Sequence, residues 1–155
     1  MDATDEAADL YFSDVGRTEE EGGGTTFQRA GLDLAEGFEL RLDARSWAVA
    51  PVQPAMLQGL VVRRRAFREI GGFWPQLSSR HDTHFFYFAF ASHPACAVAG
   101  VSAQMSADDD VANRLTGGKG NQGRRFWSCS CDLYADIHRR RSDRRERLIA
   151  RNLWA

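Results

Sequence analysis

Apolar residues in this chain fall into short runs separated by polar and glycine-rich stretches, and the spacing within each run limits what it can form. Residues 10–15 (LYFSDV) predict a strand. Residues 19–24 (EEEGGG) predict a turn in which glycines admit positive φ, and residues 25–28 predict the returning strand. Between residues 32 and 47, Leu34, Ala35, Phe38 and Leu42 recur near helical spacing and predict a helix. Gly37 opposes it by about 1 kcal/mol of propensity. Pro51 and Pro54 interrupt the chain before a strand expected over residues 56–62.

Residues 64–70 place Ala66, Phe67 and Ile70 on one side of a short helix, and Gly71-Gly72 supplies a left-handed stop. The run Phe85-Phe86-Tyr87-Phe88-Ala89-Phe90 has high β propensity and no clean helical period, so its pattern leans towards a strand. As a helix it would have to be buried nearly all round. A strand follows over residues 95–101, and Asp108-Asp109-Asp110 fits the negatively charged start of a helix. Residues 117–123 predict a flexible glycine loop. Residues 124–154 predict a helix with Phe126, Leu133, Ile137, Leu148 and Trp154 as packing positions.

At 155 residues the chain suits one domain or part of a larger one, able to bury roughly two thirds of its unfolded surface. A hydrophobic content of 43% with 26% charged residues argues against general disorder. The net charge of -1 conceals a gradient. Residues 1–45 carry 12 acids against 4 arginines, a net of -8, while residues 111–155 carry 4 acids against 11 basic residues, a net of +7. The acidic start lacks the basic-then-apolar order of a signal peptide and no apolar run is long enough for a membrane span, which leads to the expectation of a cytoplasmic protein. Three cysteines, with Cys129 and Cys131 one residue apart, do not suit a disulfide framework.

Several clusters could carry chemistry. Arg63, Arg64, Arg65 and Arg68 are either a solvated face or a phosphate contact, with Arg63 the first choice for the latter. His81, Asp82 and His84, with His93 further on, could form a small metal site, although a metal assignment is not favoured. Glu19-Glu20-Glu21 fits a solvated hairpin tip, and Gly117-Gly118-Lys119-Gly120 lacks the spacing of a phosphate-binding loop. Ser78, Ser79, His81 and Asp82 are sequence neighbours, which is not the geometry of a catalytic triad. Arg139, Arg140, Arg141, Arg144, Arg145 and Arg147 outnumber the nearby Asp136, Asp143 and Glu146, so some of them should face water or an anion.

Residues 61–73 (VVRRRAFREIGGF), followed by a loop and then His81-Asp82-Thr83-His84 before the aromatic run, resemble the acceptor side of family 2 glycosyltransferases. The segment ADLYFSDV at residues 8–15, with the EEEGGG after it, resembles an upstream strand and hairpin of the same family. The two matches span roughly residues 8–106. The resemblance implies an α/β fold: a partial GT-A-like mixed sheet with flanking helices and a basic C-terminal helix. It divides the chain into a glycosyltransferase-like part at residues 1–116 and a loop with a basic tail at residues 117–155.

By the same resemblance a helix begins at Asp82, whose carboxylate would cap it and act as the catalytic base, while Arg63, His81 and His84 contact substrate. A nucleotide-diphosphate sugar, a saccharide or lipid-linked acceptor, and Mg²⁺ or Mn²⁺ are implied as donor, acceptor and cofactor. The family holds its metal on an Asp-x-Asp in a donor-binding half that has no counterpart here. Ala103-Gln104-Met105-Ser106 also stands about where a Tyr-Arg-x-His is common. The expectation is a chain that is incomplete or inactive alone and relies on a complementary enzyme half. The alternative is a non-catalytic binding module, peripheral to the membrane, whose basic tail meets an anionic membrane surface or a partner. Nucleic acid is the weakest partner class, because aromatics are sparse in the tail.

Overall fold

The computed structural model describes residues 7–17, 23–105 and 121–140, with side chains of the last segment described from Phe126 onward. The fold is α/β, a four-stranded mixed sheet flanked by helices and not closed into a barrel. The chain forms two compact units, Met1–Gly72 with Phe85–Ala107, and Phe73–His84 with Asp108–Ala155. Among the described residues no helix is long and apolar enough to cross a membrane.

The first unit contains the whole sheet, in the order β2-β4-β1-β3. Strand β1 (Leu10–Gly16) is interior, and Leu10, Phe12 and Val15 are almost completely buried. It runs antiparallel to β3 (Leu60–Val62) and parallel to β4 (Ala95–Gln104), with the register against β4 shifting around Asp14. Strand β2 (Phe38–Arg41) runs antiparallel to the first half of β4. The 3-10 turn Leu57–Gly59 leads into β3 so close to β1 that a Cβ on Gly59 would lie 2.7 Å from the Ser13 carbonyl oxygen. Only glycine allows that approach.

Three expected elements before Arg63 differ from the structure in this unit. Thr25 makes a single bridge to Gly16, and the next residues form helix α1 (Thr26–Ala30) rather than a returning strand. The reason is local: the Thr25 hydroxyl accepts the Gln28 N–H while the Gln28 side chain accepts the Thr25 N–H, a capping box. The helix expected over residues 32–47 is replaced by β2 and the short helix α2 (Arg45–Ala48). Gly37 sits at φ 75 and its carbonyl accepts the Ala99 N–H, so pairing with β4 overrides a weak helical pattern. The strand expected over residues 56–62 survives only as β3, because the 3-10 turn takes its first half.

Helix α3 (Arg64–Ile70) forms where expected, with Ala66 fully buried and Gly71 ending it at φ 93 in the left-handed region. The aromatic run is helical, within α4 (His81–Ser92), and not a strand. Phe85, Phe86, Tyr87, Ala89 and Phe90 are all buried. Burial nearly all round explains why no amphipathic period marks this helix. Phe12 meets Phe27, Trp47 and Phe90 edge-on at centroid distances of 5.8, 5.1 and 5.4 Å, which makes it the centre of this core.

The described part of the second unit comprises residues 73–84, which include the first turn of α4, and helix α5 (Asn121–Arg140). Residues 121–123, expected in the glycine loop, are helical, while 106–120, with Asp108-Asp109-Asp110, and 141–155, with Leu148 and Trp154, lie outside the described residues. Cys129, Ser130, Leu133, Asp136 and Ile137 are buried and follow helical spacing. Phe126, expected to pack inside, is 44% exposed. Its ring instead lies 4.9 Å below the Arg80 guanidinium.

Candidate functional site

The first turn of α4 holds three of the four expected site residues. Arg80 precedes it in the left-handed region at φ 61 and accepts the His84 N–H on its carbonyl at 3.1 Å. Its guanidinium donates to Ser130 Oγ at 2.7 Å, which ties the start of α4 to α5 within this unit. The helix begins one residue earlier than expected, so Asp82 lies inside the first turn and is not the capping residue. There its charge complements the helix dipole.

Asp82 is half-buried, and one carboxylate oxygen, Oδ1, accepts the Thr83 backbone N–H at 2.7 Å and the Thr83 hydroxyl at 3.4 Å. Among the described residues the other oxygen, Oδ2, has no hydrogen-bond partner. One half of the carboxylate is held and the other is available to a proton donor. His81, also half-buried, has its ring edge-on to Phe73 at 5.7 Å.

His84 is buried, and its Nε2 lies 2.9 Å from Asp136 Oδ2. Arg140 Nε reaches the same oxygen at 2.8 Å and Arg139 reaches Oδ1 at 3.4 Å, while the Trp74 ring lies 5.2 Å from the imidazole. Burial pushes the His84 pKa below its ordinary value; Asp136 pulls the other way and Arg140 adds to the lowering. The two arginines already match the Asp136 charge, so the direction set by burial prevails and a neutral imidazole donates to the carboxylate. This side chain holds the head of α4 and presents little surface.

Arg63 belongs to the first unit. Its backbone N–H donates to the Asp9 carbonyl at 2.9 Å, extending the β1–β3 pairing by one step beyond the strands. Its Nε donates to the Ala8 carbonyl at 2.8 Å and lies 3.9 Å from Asp9 Oδ1. Arg65 also reaches Asp9 Oδ1, at 3.4 Å, and His93 Nδ1 lies 3.0 Å from Asp9 Oδ2. Asp9, Arg63, Arg64 and Arg65 line a cleft of about 540 Å³.

Asp9 and Asp136 escaped expectation as site-forming residues, and His93 entered only as a distant member of a metal site. Asp9 and His93 are 84 positions apart and His84 and Asp136 are 52 apart, so no local spacing announces either pair. The only trace in sequence is an ionisable residue beside or within an otherwise apolar pattern. His93 pairs with Asp9 and His84 with Asp136, and among the described residues no three His, Cys, Asp or Glu side chains converge as metal ligands. The described side chains thus offer no cluster of ligands for Mg²⁺ or Mn²⁺.

Cys129 lies 3.5 Å from Ser78 Oγ. Burial raises its thiol pKa, but hydrogen bonds from Ser78 and Ser79 outweigh that and lower it; burial raises the pKa of Cys96. Comparison with protein-family models, curated proteins and solved structures finds no match to this chain.

Proposed function

We propose that this chain is the acceptor-side portion of a glycosyltransferase-like protein, with Asp82 as the base that receives the acceptor proton. The observation that carries this reading is the half-held Asp82 carboxylate in the first turn of a helix whose body is a buried aromatic column. The order β1, β3, α3, glycine stop, α4, β4 supports it, because it follows the segments on which the resemblance rests. In the reaction an acceptor hydroxyl oxygen bonds to the anomeric carbon of the donor sugar and its proton passes to Asp82 Oδ2. The bond from that carbon to the nucleotide diphosphate breaks, its electron pair leaves with the diphosphate, and the configuration inverts. The donor comes from a complementary half. His81 borders the acceptor, and His84 fixes the helix start through Asp136.

An acceptor-side portion should recognise a saccharide or lipid-linked saccharide without any nucleotide sugar. Screening the full chain against an acceptor array, followed by amide chemical-shift mapping, should find binding that perturbs residues 81–84 and weakens in Asp82→Asn. No bound acceptor on a broad array, or perturbation only away from α4, would overturn the reading.

A further inference from the structure

The cleft beside β1 and β3 combines three guanidiniums that differ in how much of their donor capacity is already in use. Arg63 commits Nε to the Ala8 carbonyl, and its two Nη groups have no acceptor among the described residues. Arg65 is shared between Asp9 at 3.4 Å and Glu69 at 3.7 Å. Arg64 is exposed and makes no hydrogen bond or ion pair among the described residues. A guanidinium carries five N–H donors in a rigid fork, so most of the donors facing this cleft lack a partner among the described residues.

The carboxylates nearby do not cancel this charge. Asp9 is largely buried and engaged by His93, Arg65 and Arg63, and Glu69 lies beside Arg65 and His93. Among the described residues, three arginines against two carboxylates leave a net positive cleft even with His93 neutral. The buried Asp9 fixes the positions of Arg63 and Arg65, and the sheet fixes Asp9, because the Arg63 N–H is bound to the Asp9 carbonyl. The cations are thus partly preorganised.

We propose that this cleft binds a phosphoryl group, with Arg64 as the principal anchor and Arg63 and Arg65 as flanking contacts. A tetrahedral phosphate or diphosphate offers several terminal oxygens in different directions, which suits three forks converging from successive residues better than a single planar carboxylate. The volume of about 540 Å³ exceeds that of one phosphate, so the rest of a phosphorylated ligand has room. The phosphoryl group could belong to a soluble diphosphate or a lipid headgroup, and the recognition chemistry is the same. This inference stands apart from the glycosyl-transfer reading, since it needs neither Asp82 nor an acceptor.

Titration of the full chain with inorganic pyrophosphate, read by calorimetry and phosphorus NMR, tests it. Saturable binding is expected, stronger than for acetate at equal ionic strength, and Arg64→Gln should weaken it by about tenfold or more. Arg64→Lys should recover only part of the loss, since it restores charge but not the fork. Arg68→Gln, on the same helix but outside the cleft lining, should leave it unchanged, and thermal melting should show all variants folded. Failure of pyrophosphate to saturate, or equal loss in Arg68→Gln, would overturn the proposal. Vesicles containing phosphatidate identify the source. Binding displaced by pyrophosphate and lost in Arg64→Gln supports the cleft with a lipid headgroup as ligand, whereas vesicle binding indifferent to both counts against it.

Discussion

His84 shows how a short contact and a charge can point in different directions. An imidazole 2.9 Å from a carboxylate would ordinarily be expected to gain a proton, yet Arg140 at 2.8 Å from the same oxygen already supplies the positive partner. Burial then disfavours a further charge, and the pKa falls below 6.5. The unfolded chain therefore takes up a proton near pH 6.5 while the folded chain does not, so the stability from neutral His84 is complete above that pH and is lost as pH falls towards the folded value. Thermal melts should show the difference in stability between wild type and His84→Asn shrinking as pH drops from about 7 to about 5. A difference that grows on acidification would mean a charged imidazole paired with Asp136.

At the scale of elements, α4 is built from residues whose local preference favours strand, and it exists because each side of it is buried. Phe90 is 1% exposed and stacks on Phe86 at 5.8 Å while meeting Phe12 and Trp47 edge-on. Phe90→Ala should cost about 3–5 kcal/mol in urea unfolding, through lost burial and the cavity left behind. Phe88→Ala, on the less buried side, should cost clearly less, and equal losses would argue against the described burial. Gly59→Ala tests the neighbouring approach of backbone to backbone, since the new methyl would meet the Ser13 carbonyl oxygen at 2.7 Å. It should destabilise although alanine adds apolar surface, because a backbone oxygen cannot turn away as a flexible side chain could.

For the molecule as a whole, the distribution of ionisable groups bears on how a donor could bind. Two of the described carboxylates are paired with imidazoles, Asp9 with His93 and Asp136 with His84, and among the described residues no group of three His, Cys, Asp or Glu side chains could hold a metal. Any affinity for a nucleotide-diphosphate sugar should then come from guanidiniums alone. Calorimetry with and without Mn²⁺ should give dissociation constants within about twofold of each other, a difference of less than roughly 0.5 kcal/mol. Tightening by about tenfold or more on adding Mn²⁺ would show that metal ligands are present in this chain.

The sequence alone determined the features that rest on a few neighbouring residues. Strand β1, helix α3 with its left-handed stop at Gly71, the strand opening at Ala95 and the packing positions Leu133 and Ile137 were all legible, because apolar spacing and glycine's freedom at positive φ act over one or two turns. The Thr25 capping box was equally local and was passed over in favour of a hairpin. Tertiary structure decided the rest. Pairing with β4 made a strand of residues 38–41, and encirclement by Phe12, Trp47 and Phe67 kept residues 85–90 helical. The candidate sites divide in the same way. Asp82 and the run Arg63-Arg64-Arg65 stood out by residue type, while the Asp9–His93 and His84–Asp136 pairs arise only when distant segments meet and a buried polar group must find its partner there.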